Sequence, residues 1–141
     1  MQNLKNLRNF LFFGVLLFLS SCVENSDNKF KEENLSLLII KDKGIYHSND
    51  KINLSVKIES SIFIGDVNLK IYGIYAKGNY KIESLKNIII YPGKREISFE
   101  FTVPECYSCA GILPGVYNLT AELVKGEKTL KRETINLRIE Q

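Results

Sequence analysis

From Leu35 onward the apolar residues recur with a period of two, and this alternation restricts the fold more than any other feature of the chain. Ile52, Leu54, Val56 and Ile58 alternate with Asn53, Ser55, Lys57 and Glu59. Val67, Leu69 and Ile71 alternate with Asp66, Asn68 and Lys70. Ile97, Phe99, Phe101 and Val103 alternate with Ser98, Glu100 and Thr102, and Tyr117, Leu119, Ala121 and Leu123 with Asn118, Thr120 and Glu122. A strand sends successive side chains to opposite faces, so each run reads as a strand with one dry face and one wet face. No stretch sustains a 3.6-residue period, and no long helix is predicted in this region.

Gly, Asn and Pro fall between the runs, at Asp42-Lys43-Gly44, Ser48-Asn49-Asp50, Lys77-Gly78-Asn79, Pro92-Gly93 and Lys125-Gly126-Glu127. These residues suit chain reversal. Strands are expected near 35–41, 51–59, 66–76, 80–85, 87–91, 95–103, 115–125 and 128–140. The expected core includes Val56, Leu69, Phe99, Phe101, Tyr117 and Leu119. Tyr72 and Ile74 fall on the nominally outer face of their strand. In the last segment Leu130 breaks parity with Ile135, Leu137 and Ile139, which predicts a bulge near Arg132–Glu133. The fold class is all-β, a two-sheet antiparallel sandwich of about seven or eight strands.

Pro114-Gly115-Val116-Tyr117-Asn118-Leu119 leads into the penultimate strand. With that entry, the layout of residues 35–141 resembles the immunoglobulin-like β-sandwich modules of bacterial and archaeal surface proteins. The resemblance implies that Tyr117 acts as a corner tyrosine, its ring buried and its hydroxyl bonded to backbone. The chain has no Trp and no cysteine pair placed to join two sheets, so the likeness is to the architecture and not to antibody domains. Such a fold hosts many functions and implies none by itself.

The start of the chain has the three parts of a secretory signal. Lys5 and Arg8 precede an apolar run from Phe10 to Leu19, and small Ser20 and Ser21 follow. The run is about half of the roughly 20 residues a membrane-spanning helix needs. Leu19-Ser20-Ser21-Cys22 resembles a lipobox, the signal for attaching diacylglycerol to a cysteine sulfur. The resemblance implies a signal peptide over 1–21 and a mature chain that begins at Cys22. That chain would be lipid-anchored to the cell membrane or outer membrane, with its domain outside the cytoplasm. Residues 22–34 are polar, lack an apolar period and read as a flexible tether. As a coil, the twelve residues after Cys22 span about 19 Å. Residues 35–141 are the sandwich.

The full chain carries 19 Lys and Arg against 16 Asp and Glu. Without Lys5 and Arg8 the balance is 17 to 16, spread without blocks. That is not a nucleic-acid footprint.

Cys106-Tyr107-Ser108-Cys109 is the one local constellation. Outside the cytoplasm nearby cysteines usually oxidise, and with Cys22 acylated the other two have only each other. A local disulfide is expected to stiffen the 103–115 crossover and present Tyr107. The competing reading is redox or metal chemistry. A metal site needs about four ligands, and the chain offers one Cys-x-x-Cys and one histidine, His47, in a loop of turn formers. No convergent carboxylates, nucleophile elbow or phosphate loop occurs, so no catalytic residue, metal ligand or cofactor is assigned. Ser61-Ile62-Phe63-Ile64-Gly65 is expected to fold over the end of the core. An exposed Phe63, extended by Tyr72, would instead mark a partner contact. Asn34, Asn53 and Asn118 begin glycosylation acceptor patterns, which chance in an Asn-rich chain also explains. The function expected is non-catalytic, a binding or envelope-assembly module for an envelope protein or extracellular ligand. The alternative is a redox or metal-handling lipoprotein working through Cys106 and Cys109.

Overall fold

A computed structural model describes residues 34–105 and 112–141. Eight strands run in order: β1 Leu35–Lys41, β2 Ile45–His47, β3 Lys51–Ser60, β4 Gly65–Ala76, β5 Asn79–Ile90, β6 Gly93–Thr102, β7 Gly115–Lys125 and β8 Lys128–Glu140. They form two sheets, a three-stranded one ordered β1-β3-β6 and a five-stranded one ordered β2-β8-β7-β4-β5. The alternating residues meet between the sheets. Val56, Leu69, Ile71, Leu119, Leu123 and Leu137 are fully buried there.

Several expectations need correction. The sandwich is not wholly antiparallel, because β2 runs parallel to β8 with Ile45 opposite Arg138. After β1 the chain turns at Asp42–Gly44 and crosses to the other sheet. Tyr46 is the plug that makes this crossing worthwhile: its ring is fully buried and its hydroxyl donates to Asp42 Oδ1 at 2.7 Å. Burial, then the bond to Asp42, pushes its hydroxyl up to about 12, so it remains a donor at ordinary pH. Burial alone would raise Asp42, but hydrogen bonds from Tyr46 and Asn53 prevail and hold its carboxyl below the usual value. His47 therefore ends a strand instead of sitting in a loop, and remains exposed.

The expected strands 80–85 and 87–91 are one strand, β5, paired with β4 from Ala76–Asn79 to Gly65–Ile90. The inward face of β5 carries Ile82, Ile88 and Ile90, but Ser84 and Lys86 between them are polar, which mimics a break. Lys86 lies over the edge of the core instead, with its ammonium 4.1 Å from the Phe99 ring centroid. That edge also explains why Phe101 is half-buried and not enclosed. β6 is an edge strand, and its inward side chains have strand neighbours on one side only. Tyr117 is likewise half-buried. Its hydroxyl does bond to backbone, donating to the Leu113 carbonyl at 2.6 Å and accepting from the Leu113 amide at 3.0 Å. The irregularity in β8 falls at Leu130, the extra residue between the pairs Leu123–Lys131 and Val124–Thr129, and not at Arg132–Glu133.

β4 has its own fault. Ile74 adopts φ 52°, a conformation β-branched residues rarely take. The side-chain parity slips there: Val67, Leu69 and Ile71 point inward, and so does Ile74, which is fully buried. The expectation that Ile74 faces outward fails for this reason. Gly73 beside it lies so close to β7 that a Cβ would stand 2.8 Å from Leu119 Cδ1 and 2.9 Å from the Asn118 carbonyl oxygen. Gly73→Ala should therefore destabilise the domain by about 1–3 kcal/mol through overpacking against backbone that cannot yield. Gly115→Ala, with open space around it, should cost less than about 0.5 kcal/mol. Urea midpoints of the two variants check this, and equal values would refute the close approach.

Candidate functional site

The parity slip at Ile74 creates the most distinctive surface of the domain. With Ile74 turned inward, Tyr75 turns outward and is 59% exposed. The Lys77–Gly78 turn, with φ 51° and 79°, returns the chain so that Tyr80 pairs directly with Tyr75. The Tyr75 and Tyr80 ring centroids are 5.2 Å apart, and Tyr80 lies 4.8 Å from Tyr72. The three rings form a tilted cluster on the outer face of the five-stranded sheet.

Polar groups on β7 and β8 adjoin it. Glu122 points to this outer face yet is only 7% exposed, because Tyr72 and Arg132 cover it. Its carboxylate accepts from Arg132 Nε in a close ion pair. It also acts on the nearby Tyr72 hydroxyl. Thr120 and Thr134 share a hydroxyl–hydroxyl bond of 2.9 Å, and Asn118 and exposed Val116 close the rim. All of these except Glu122 line a shallow groove of about 460 Å³. Burial first, and then Glu122, hold the Tyr72 hydroxyl above its ordinary value, with Arg132 opposing. Glu122 in turn holds the Arg132 guanidinium more firmly protonated. The groove thus offers three aromatic faces, a fixed guanidinium and paired hydroxyls. Such a set is chemically suited to an amphipathic polar ligand, through ring stacking and directed hydrogen bonds.

The residues singled out from the sequence are distributed as follows. Tyr72 lies in the groove. Phe63 does not: it sits before β4 at the opposite end of the sandwich, 61% exposed, with its ring 5.3 Å from that of Tyr91. The expectation that the 61–65 loop folds over the core holds for buried Ile64 and fails for Phe63. Cys22, Cys106, Tyr107 and Cys109 lie outside the described residues, as do the signal segment and the tether up to residue 33. His47 Nδ1 is 3.8 Å from Asp50 Oδ2. Among the described residues no three His, Cys, Asp or Glu side chains gather to hold a metal. Of the acceptor asparagines, Asn118 rims the groove, the Asn53 amide donates to Asp42 Oδ2 at 2.8 Å and Asn34 Oδ1 accepts from Ser61 Oγ at 2.9 Å.

Sequence reasoning missed Tyr75, Tyr80, Glu122 and Arg132. The one available signal was two tyrosines flanking the Lys-Gly turn at near-symmetric distances. The Glu122–Arg132 pairing depends on the β7–β8 register, which the Leu130 bulge shifts by one.

No protein-family model and no curated protein matches this sequence. Solved structures do match in shape. The C-terminal domain of wzt aligns with a TM-score of 0.58 at 15% identity, over 77% of this chain and 74% of that one. The CARDB domain of a Pyrococcus furiosus protein, solved in complex with di-metal ions, aligns at 0.54 with 11% identity, over 76% and 88%. The sporulation control protein Spo0M of Bacillus subtilis aligns at 0.53 with 15% identity, over 77% of this chain and half of that one. At these identities the likeness shows an all-β sandwich fold and nothing about activity.

The groove's electrostatics give a testable titration. A tyrosine held above its ordinary pKa stabilises the fold below about pH 10 and loses that contribution as pH rises through its folded value. Glu122→Gln removes the charge that opposes a tyrosinate, so Tyr72 should ionise at lower pH than in the parent, though burial still holds it up. Ring-carbon NMR against pH reads this directly. An unchanged Tyr72 titration would show that Glu122 does not act on it.

Proposed function

We propose that this chain is a non-catalytic, lipid-anchored envelope protein. Its immunoglobulin-like sandwich, residues 35–141, binds a carbohydrate in the groove on the five-stranded sheet. The observation that carries this reading is the cluster of Tyr72, Tyr75 and Tyr80 beside the Glu122–Arg132 pair. Sugars present apolar C–H faces ringed by hydroxyls. Exposed ring faces next to a fixed guanidinium and threonine hydroxyls answer both features. The openness of the groove suits a chain or a terminal residue of a larger glycan more than an engulfed small molecule.

The proposed anchor is a diacylglycerol on Cys22. One acyl chain binds membranes only marginally, and two make the attachment durable. Cys106 and Cys109 are proposed as a local disulfide in the connection that leads from Val103 to the groove's Val116 end.

Two measurements test these assignments. Binding to a panel of oligosaccharides, read by calorimetry, should find a ligand whose affinity falls about tenfold in Tyr80→Ala, the loss of one stacking ring. Leu38→Ala, on the outer face of the other sheet, should change nothing. A panel without binders, or a ligand indifferent to Tyr80, would overturn the carbohydrate reading. For the anchor, mass spectrometry of membrane-bound protein should find an acylated Cys22 as its first residue, and Cys22→Ala should remain an unacylated precursor. Membrane-bound protein that retains Met1 would overturn it.

A further inference from the structure

The end of the sandwich opposite the groove carries a second exposed aromatic surface. Phe63 and Tyr91 are 61% and 63% exposed, project from two different loops and touch each other. Ile62 beside them is also exposed. Buried aromatic pairs are ordinary; a paired, exposed one held by a rigid frame is not. The frame is specific. The Ile64 amide donates to the Ile90 carbonyl at 3.0 Å, which ties the Phe63 loop to the Tyr91 loop. Lys125 Nζ donates to the Ile64 carbonyl at 2.6 Å, Arg95 to the Ile89 carbonyl at 3.0 Å, and Ser60 Oγ to the Ile62 carbonyl at 2.8 Å. The rings are therefore preorganised and do not collapse onto the core.

The chain enters the sandwich at this same end. Leu35 pairs with Ser60, Ser60 with Gly93 and Gly65 with Ile90. The Ser61 amide donates to the Asn34 carbonyl at 3.0 Å. Asn34 follows Cys22 by twelve residues, which reach at most about 43 Å even fully extended.

We propose that Phe63, Tyr91 and Ile62 form a membrane-docking pole that seats in the lipid–water interface of the bilayer holding the lipidated Cys22. This rests on the lipid attachment proposed above. Tyr91, with one apolar end and one wet end, suits that interface, and Phe63 and Ile62 add purely apolar surface beside it. The tether supplies what so small a patch lacks. A group linked at this range sees the surface at an effective concentration on the order of millimolar, so weak insertion suffices. At this end of the strands Lys94 pairs with Glu59, Asp66 lies opposite Ile89, and Lys125 pairs with Lys128 across the turn that holds Glu127, so both charge signs are present. The apolar contact, not net charge, carries the attraction, and docking should not require anionic lipid.

The chain has no tryptophan, so a single introduced one is an unambiguous reporter. Phe63→Trp and Tyr91→Trp report on the pole from either ring, which keeps the test readable if one substitution disturbs the loop. Leu113→Trp, exposed at the far end, is the reference. Each full chain, made in a host that processes lipoproteins, is reconstituted into phosphatidylcholine vesicles with brominated acyl chains. The pole reporters should shift to the blue and be quenched, while the Leu113 reporter stays unquenched. Quenching at the pole without acylation of Cys22 would still support docking. Unquenched pole reporters on an acylated chain would overturn the docking pole and leave the anchor standing. Unquenched reporters on an unacylated chain would overturn both. A lipid-independent blue shift that grows with protein concentration would replace the bilayer by a second copy of the chain.

Discussion

The left-handed backbone at Ile74 is the constraint on which the rest of this surface depends. Such a conformation costs a β-branched residue about 1–3 kcal/mol. Complete burial of the isoleucine side chain offsets it by a comparable 1.5–3 kcal/mol, roughly. Gly73 makes the arrangement possible, since only a residue without a Cβ lets β4 approach the Asn118–Leu119 backbone so closely. The slip exchanges the two faces of β4 from this point on. Without it, Tyr75 would enter the core and Ile74 would stand outside. The aromatic cluster is thus a product of one strained residue whose strain the core absorbs.

A related tension sits one strand away. Glu122 is a carboxylate on the outer face of a sheet, yet it is nearly buried. Removing a carboxylate from water is costly unless partners replace the lost hydration. Here Arg132 does so, and the exposed side of the guanidinium keeps part of the pair solvated. The arrangement fixes the direction of the Arg132 fork. Fixed donors and rings lose little freedom when a ligand arrives, which is the usual route to useful affinity on an open surface.

How far the sequence could be read follows from the same physics. Strands with one buried face announce themselves by period two, and β1, β3, β4, β6, β7 and β8 fall close to where alternation puts them. β2 has three residues, too few for any period, and it is held by Tyr46 and a parallel pairing that only the folded chain defines. β5 looked divided because Ser84 and Lys86 occupy its inward face, a pattern that makes sense once Lys86 is seen to lie over Phe99. Parity faults were the hardest part. The one in β8 was visible in Leu130 but displaced by two residues. The one at Ile74 was invisible, since isoleucine is among the last residues from which positive φ is expected. The groove depends on that fault and on the register of a bulged hairpin, so of its charged and aromatic residues only Tyr72 was singled out.

The two aromatic surfaces lie at opposite ends of one strand. β4 begins two residues after Phe63 and runs twelve residues to Ala76, just past Tyr75, a distance of about 40 Å at ordinary strand rise. β4 pairs with β5 on one side and β7 on the other, so this separation is rigid. On the proposed anchor, a tether of twelve residues would not by itself orient a sandwich of that length, because its reach nearly equals the strand's. The domain would be free to lie flat and press either sheet against the bilayer. The proposed contact at the Phe63–Tyr91 end would remove that freedom, since a rigid body held at its pole by two rings and a tether stands along β4. On the proposed reading the groove is then carried about a strand's length from the lipid surface and faces sideways. There a glycan approaches without displacing lipid, and the distance comes from the sandwich itself and not from the length of the tether.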